Sequence, residues 1–216
     1  MGDALSPVVV SHFFGEGVEL AKRNERGKLL GVGSVMKALR AGDTVWGTGV
    51  MREFDKFPMA ESCRFLAVRG KLSEEVLGVK VGVYGDPALL LPLIYDPVVD
   101  VVHEVGVVEH YVEKGLYKGE GFRIDVEQDW KGFVRDVKSC KRIVSSSLHG
   151  LVIGEAYGVP VEWVVLSDKV IGSGFKFRDY LTGTGRSVQD PGVFPRIKDL
   201  KGIQDKLIGA VRCLKC

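Results

Sequence analysis

No stretch of this sequence offers the roughly 18 consecutive apolar residues that a membrane-spanning helix needs. Met1 is followed at once by Gly2 and Asp3, with no basic segment leading into an apolar one. The expected location is the cytoplasm. A charge excess is also lacking: 30 Lys and Arg stand against 28 Asp and Glu, a net +2. So balanced a chain is not expected to bind nucleic acid, and any anion site must be built locally. Cysteine is sparse, with Cys63, Cys140, Cys213 and Cys216 spaced without the pattern of a disulfide scaffold. The lone Cys213 and Cys216 pair supplies two of the four ligands of a structural zinc site, so no metal is expected. Internal repeats and a Walker sequence are missing. The dinucleotide fingerprint is incomplete, because Met36 and Arg52 stand where the third glycine belongs after Gly31-Val-Gly33 and Gly47-Thr-Gly49. Nicotinamide and ATP are set aside, and no cofactor is expected.

What the chain does have is 216 residues with 45% hydrophobic content, enough for one core or for two small ones sharing an interface. Short β-branched runs alternate with amphipathic stretches, the pattern of βαβ units on parallel sheets. Strands are expected at 28–32, 44–46, 65–68, 81–84, 105–108, 142–145 and 161–165, and helices at 4–14, 34–40, 73–77, 130–140, 148–157, 176–181 and 200–214. The class is α/β. A soft boundary at Gly78–Lys80 predicts two Rossmann-like halves, 1–78 and 79–216. In the last helix Leu200, Ile203, Leu207, Val211 and Leu214 recur at helical spacing and read as a core face.

Glycines cluster where strands end, at Gly31-Val-Gly33-Ser34 and at Trp46-Gly47-Thr-Gly49. Such turns either bring backbone N–H groups to a ligand or simply turn tightly. Gly33, Ser34, Gly47 and Gly49 are candidates on the first reading. More informative is Cys140-Lys-Arg-Ile-Val-Ser-Ser-Ser-Leu-His-Gly150, in which a β-branched strand runs through Ser145, Ser146 and Ser147 into a helix whose first turn carries His149. A helix N-terminus and three hydroxyls make an anion cradle with a titratable nitrogen beside it. The bland alternative is that the serines cap the helix and His149 bonds locally.

The Ser-Ser-Ser-Leu-His-Gly run, followed by Glu155-Ala-Tyr-Gly-Val-Pro160, resembles the signature of the polysaccharide pyruvyl transferases. In the expected order come Gly2-Asp3, Gly31-Val-Gly-Ser34, Val45-Trp-Gly-Thr-Gly49, Ala67-Val-Arg-Gly70, Tyr84-Gly-Asp-Pro-Ala88, His110-Tyr111-Val112 and Phe175-Lys-Phe-Arg-Asp-Tyr180. The resemblance implies a fold like the two-domain GT-B glycosyltransferases, with phosphoenolpyruvate and a sugar or lipid-linked oligosaccharide meeting between the halves. A pyruvyl group would pass to the sugar as a cyclic ketal, on an exopolysaccharide or cell-surface glycan precursor near the membrane.

A donor bearing phosphate and carboxylate needs cationic, preferably two-pronged, partners, for which Arg69, Lys176 and Arg178 are candidates. His149 is the candidate general acid, and Asp3, Asp86 and His110 are candidates to take protons from sugar hydroxyls. Each has an ordinary alternative: Arg69 a strand-end salt bridge, Asp86 a cap before Pro87, Lys176 and Arg178 a solvated helix face. His12 and His103 read as structural. Two departures from the family pattern stand out. Many relatives carry arginine where this chain has Ser147, so the lost charge must come from Arg142, Lys176 or Arg178. The strand and Asn-Phe that usually precede Gly-Asp do not stand before Gly2. That is expected either of a reading frame that starts too late or of a shortened member whose sheet edge is covered in another way, self-association being one. The rival readings are a nucleotide-sugar-dependent glycosyltransferase of GT-B type and a shortened, non-catalytic relative.

Overall fold

The computed structural model describes residues 2–15 and 17–212, with every side chain in those ranges except that of Asp3. The candidate Asp3 carboxylate, the Cys213 and Cys216 pair and Leu214 therefore lie outside the described residues.

Among the described residues eight strands form two sheets. The first is parallel, in the order β1 (Leu29–Leu30), β2 (Thr44–Trp46), β3 (Arg64–Ala67). The second has the order β5 (Phe122–Arg123), β4 (His103–Val108), β6 (Cys140–Ser145), β7 (Val161–Trp163), β8 (Gly192–Val193), parallel except for the β7–β8 edge pair. Six α-helices accompany them: α1 (Ser6–Phe14), α2 (Lys71–Leu77), α3 (Trp130–Lys138), α4 (Leu148–Ala156), α5 (Phe175–Gly183) and α6 (Leu200–Arg212). The fold is mixed α/β with predominantly parallel sheets, as the alternation of strand and helix patterns requires.

Local chemistry sets the ends of several elements. Asp129 caps α3 by accepting from Lys131 and Gly132 N–H, each at 3.0 Å. Gly78 closes α2 in the left-handed conformation, φ 67°. The two candidate strands 28–32 and 81–84 shrink, the first to Leu29–Leu30 and the second to a single bridge between Val68 and Tyr84. Gly82, at φ +74°, breaks the second run. Residues 34–40 form only a 3₁₀ turn, Met36–Ala38.

The core does not divide at Gly78. Tyr84 still pairs with the first sheet, and both α5 and α6, which follow the second sheet in sequence, pack back on the first half, α5 on α2 and α6 on β3. Val32, Trp46, Leu66 and Ala67 belong to a core shared with the second sheet, and Val45, Val68, Leu77 and Phe175 to a second, smaller cluster. Contacts thus run across the boundary expected between 1–78 and 79–216. In α6, Leu207 and Val211 are buried as its spacing predicts, and Trp46 Nε1 donates to the Leu207 carbonyl at 3.0 Å. Gln204 is buried beside them because its amide donates to the Leu89 carbonyl at 2.8 Å.

Candidate functional site

Helix α4 is apolar around its whole circumference, and eight of its nine residues are buried. A helix of that kind sits inside the molecule. Its first-turn histidine, His149, is therefore carried into the interior, only 8% exposed. Gly150 explains how closely the helix seats. A Cβ there would come within 2.4 Å of Ser145 Oγ and 2.7 Å of Val108 Cγ1, so the helix rests directly on β4 and β6.

The three serines divide their work. Ser145 is fully buried; its hydroxyl lies 2.8 Å from the carbonyls of Val108 and of Ser147 and accepts from Ser147 N–H at 2.9 Å, which folds the strand-to-helix turn. Ser146 Oγ accepts from His110 N–H at 3.0 Å and ties that histidine to the turn. Ser147 stands at the N-cap position, half-buried, and its side chain makes no capping bond. Of the two readings of this run, capping by side chains does not describe Ser147, and a structural turn does describe Ser145.

Asp86 arrives from a segment some sixty positions earlier in the chain, at the start of the 3₁₀ helix Pro87–Leu93. It follows the Val68–Tyr84 bridge, and its Oδ1 accepts from Ala88 N–H at 3.0 Å, capping the 3₁₀ helix Pro87–Leu93. Its other oxygen, Oδ2, lies 3.3 Å from His149 Nε2. Asp86 is fully buried, and neither Oδ2 nor Nε2 makes an aligned hydrogen bond within the described residues. The turn that carries Asp86 is held from two sides. Gly47, at φ +84°, meets Pro87 so closely that a Cβ would lie 2.3 Å from its ring, and Gly85, at φ +143°, faces Ile203 and Leu207 of α6. On the far side of the imidazole is Gly2, where a Cβ would stand 2.5 Å from Nδ1. One nitrogen of His149 thus faces a carboxylate and the other faces the N-terminal Gly-Asp segment.

His110 is also brought close. Burial, with the nearby Lys176 charge adding to it, pushes its pKa down to about 4, so its imidazole is neutral at neutral pH. Lys176, half-buried on the first turn of α5, sets its ammonium 5.3 Å from the Phe177 ring centroid. Arg178 hydrogen-bonds the Ser173 carbonyl and lies 6.0 Å from the Trp163 ring. Arg142 is turned away, pairing with Glu162 at 2.9 Å on the outer surface of β6 and β7. It does not replace the charge missing at Ser147. His103 stacks on Phe122 with centroids 4.0 Å apart, the structural use expected of it.

Arg69, expected to grip an anion, is fully buried with each guanidinium nitrogen engaged. Nε donates to Asp179 Oδ2 at 2.9 Å, Nη1 to Ser34 Oγ at 2.6 Å and Nη2 to the Val50 carbonyl at 2.6 Å. The glycine cluster wraps this group rather than a ligand. A Cβ on Gly49 would lie 2.2 Å from Arg69 Cζ, and the Gly33 carbonyl accepts from Thr48 Oγ1 at 2.9 Å and Gly49 N–H at 3.1 Å. Ser34 is the one member that combines partial exposure with a bond to Arg69.

The sequence reading missed the reason for the Arg-Asp-Tyr stretch of α5. Asp179 holds the first half, accepting from Arg69 and from Ser73 N–H (2.7 Å) and Oγ (2.6 Å). Its neighbour Tyr180, fully buried, donates to Glu155 Oε2 of α4 at 2.8 Å, and Arg186 completes that buried pair. Burial and the Glu155 charge hold the Tyr180 hydroxyl protonated. Two adjacent residues of α5 therefore clamp both halves around the His149–Asp86 contact. Arg69 and Asp179 sit in separate segments 110 positions apart, so no local signal announced the pair.

Comparison with known proteins gives three findings. A model of the family described as "Polysaccharide pyruvyl transferase" matches residues 45–167. The uncharacterized protein L143 of Acanthamoeba polyphaga mimivirus is 30% identical over 171 residues, which cover 71% of this chain and 59% of that protein. The chain thus spans under two thirds of the length of this relative. No solved structure matches.

Proposed function

The chain belongs to the polysaccharide pyruvyl transferase family, and from that premise we propose that it transfers pyruvate from phosphoenolpyruvate to a sugar of a polysaccharide or lipid-linked glycan precursor. The observation that carries this reading is the buried His149–Asp86 pair. Two polar groups left without aligned partners in an apolar interior are costly, and the clamp built by Asp179 and Tyr180 holds them in place. A carboxylate beside one imidazole nitrogen sets a counter-charge next to the ring, the neighbour that a histidine acting in proton transfer uses.

In the proposed reaction His149 protonates C3 of the enol, and C2 becomes oxocarbenium-like. A sugar hydroxyl adds to C2 and passes its proton to a base, for which the neutral imidazole of His110 is the candidate. The C2–O bond to phosphate then breaks, phosphate leaves with that proton, and a second hydroxyl closes the cyclic ketal, its proton restoring His149. Asp86 acts by holding the imidazolium. The N-terminus of α4, with Ser147, and the cation Lys176 supply attraction for the phosphate and carboxylate. Arg69 acts at one remove, by fixing Ser34 and α5. Among the described residues no helix is long and apolar enough to cross a membrane, so a lipid-linked acceptor would be approached from outside the bilayer.

A thermal-shift panel tests the donor. Phosphoenolpyruvate at a hundred times its dissociation constant adds about 2.7 kcal/mol to folding stability, and the reading expects that shift. A shift with nucleotide sugars and none with phosphoenolpyruvate would favour glycosyl transfer instead.

A further inference from the structure

Against the site lies a cavity of about 370 Å³, between the end of β7, residues 164–174 and α5. Ser146 belongs to its lining, and Ser146 is also the residue that holds His110 on the turn leading to His149. Trp163 and Phe177, stacked with centroids 4.5 Å apart, back its wall. Glu113 also lines it. This glutamate is 1% exposed, and Oε1 accepts from Ser167 Oγ at 2.6 Å. Its second oxygen, Oε2, is buried without a hydrogen-bond partner among the described residues.

A buried carboxylate oxygen with no donor demands one, and protein supplies none here. The cavity volume falls within the range of small-molecule sites, which combine mostly apolar walls with a few fixed polar groups. The missing donor is not an anion such as phosphoenolpyruvate, which the carboxylate repels. Asp168 and Arg178 stand in the same lining, so the wall carries charges of both signs and favours neither a bare cation nor an anion. A neutral polyhydroxylated ligand meets both conditions. We infer that this cavity holds the acceptor sugar, with Glu113 Oε2 accepting a hydrogen bond from one of its hydroxyls. The inference rests on the pyruvyl transfer proposed above and names where its second substrate sits.

The test uses saturation-transfer NMR with the methyl glycosides of galactose, glucose and mannose, run on the whole chain without donor. Two variants accompany wild type. Glu113→Gln keeps the side-chain volume and the acceptor for Ser167. Val165→Trp fills the cavity from a position 61% exposed, where a large side chain does not disturb the core. The expected result is contact with at least one glycoside, weakened about tenfold in Glu113→Gln as for loss of a hydrogen bond to a charged group. Val165→Trp abolishes it, and the phosphoenolpyruvate thermal shift stays at its wild-type value in both. Sugar contact that is equal in all three proteins overturns the assignment, as does a wild type that shifts with phosphoenolpyruvate yet touches no glycoside. A Glu113-dependent sugar contact in a protein that does not respond to phosphoenolpyruvate upholds the subsite and removes the donor reading instead.

Discussion

His149 Nε2 lies 3.3 Å from Asp86 Oδ2, one from the first turn of α4 and the other from the segment that leaves the first sheet. The contact exists only because the 3₁₀ helix that follows Asp86 packs against α4, so the acid and its counter-charge are assembled by folding rather than by local sequence. His149→Asn keeps a polar group of similar reach without a deliverable proton. Its single-turnover rate should fall about 10²–10⁴-fold, the usual share of a general acid, with donor affinity changed little. Asp86→Asn retains the oxygen that caps Ala88 and should lower the rate by removing the counter-charge beside the imidazole. Near-normal turnover in His149→Asn contradicts the acid role.

The Arg69–Asp179 pair predicts a stability effect. Arg69→Met leaves Asp179 buried and uncompensated, and such a loss costs about 3–5 kcal/mol. Urea unfolding of Arg69→Met, Asp179→Asn and the double variant should show the second change costing much less once the first is present. Additive losses would mean the two side chains act independently.

Close approach makes two glycines irreplaceable and leaves a third free. A Cβ on Gly70 would lie 1.8 Å from the Asp179 carbonyl oxygen, and one on Gly183 would lie 1.8 Å from that of Arg69; both obstacles are backbone. Gly209, within α6, meets nothing inside 4 Å. Gly209→Ala should raise stability by about 0.5–1 kcal/mol through helix propensity. Gly70→Ala should yield little folded protein, and comparing the two melting curves checks both statements.

His110 gives the chain a pH dependence of definite sign. Burial depresses its pKa in the folded state to about 4, below the ordinary value near 6.5. Between those values the unfolded chain binds more protons, so this residue's contribution is complete above about pH 6.5 and lost as pH falls toward 4. The melting temperature of His110→Gln should therefore decline less over that interval than that of wild type. Parallel curves would show that the imidazole titrates normally.

Periodic, β-branched segments were legible in the sequence. Thr44–Trp46 forms β2 as expected, and the strand–turn–helix order around His149 is observed. Two-residue strands such as Phe122–Arg123 carry too little pattern to read. At the site, residue types announced themselves but their partners did not. Arg69 reads as a free cation until Asp179, 110 positions away, is folded against it. Glu113 reads as one more solvated charge in Tyr-Val-Glu-Lys until the segment 164–174 covers it. Both depend on contacts between segments distant in sequence, which local periodicity does not encode.

The most direct test of the central claim is a titration of phosphoenolpyruvate followed through the histidine Cε1–H resonances, with His149→Asn used to assign the His149 signal. The account predicts a saturable displacement of that signal, absent from His103 and His12, and no comparable response to nucleotide sugars. A His149 resonance that stays in place at saturating phosphoenolpyruvate, or one that moves only with a nucleotide sugar, would contradict it.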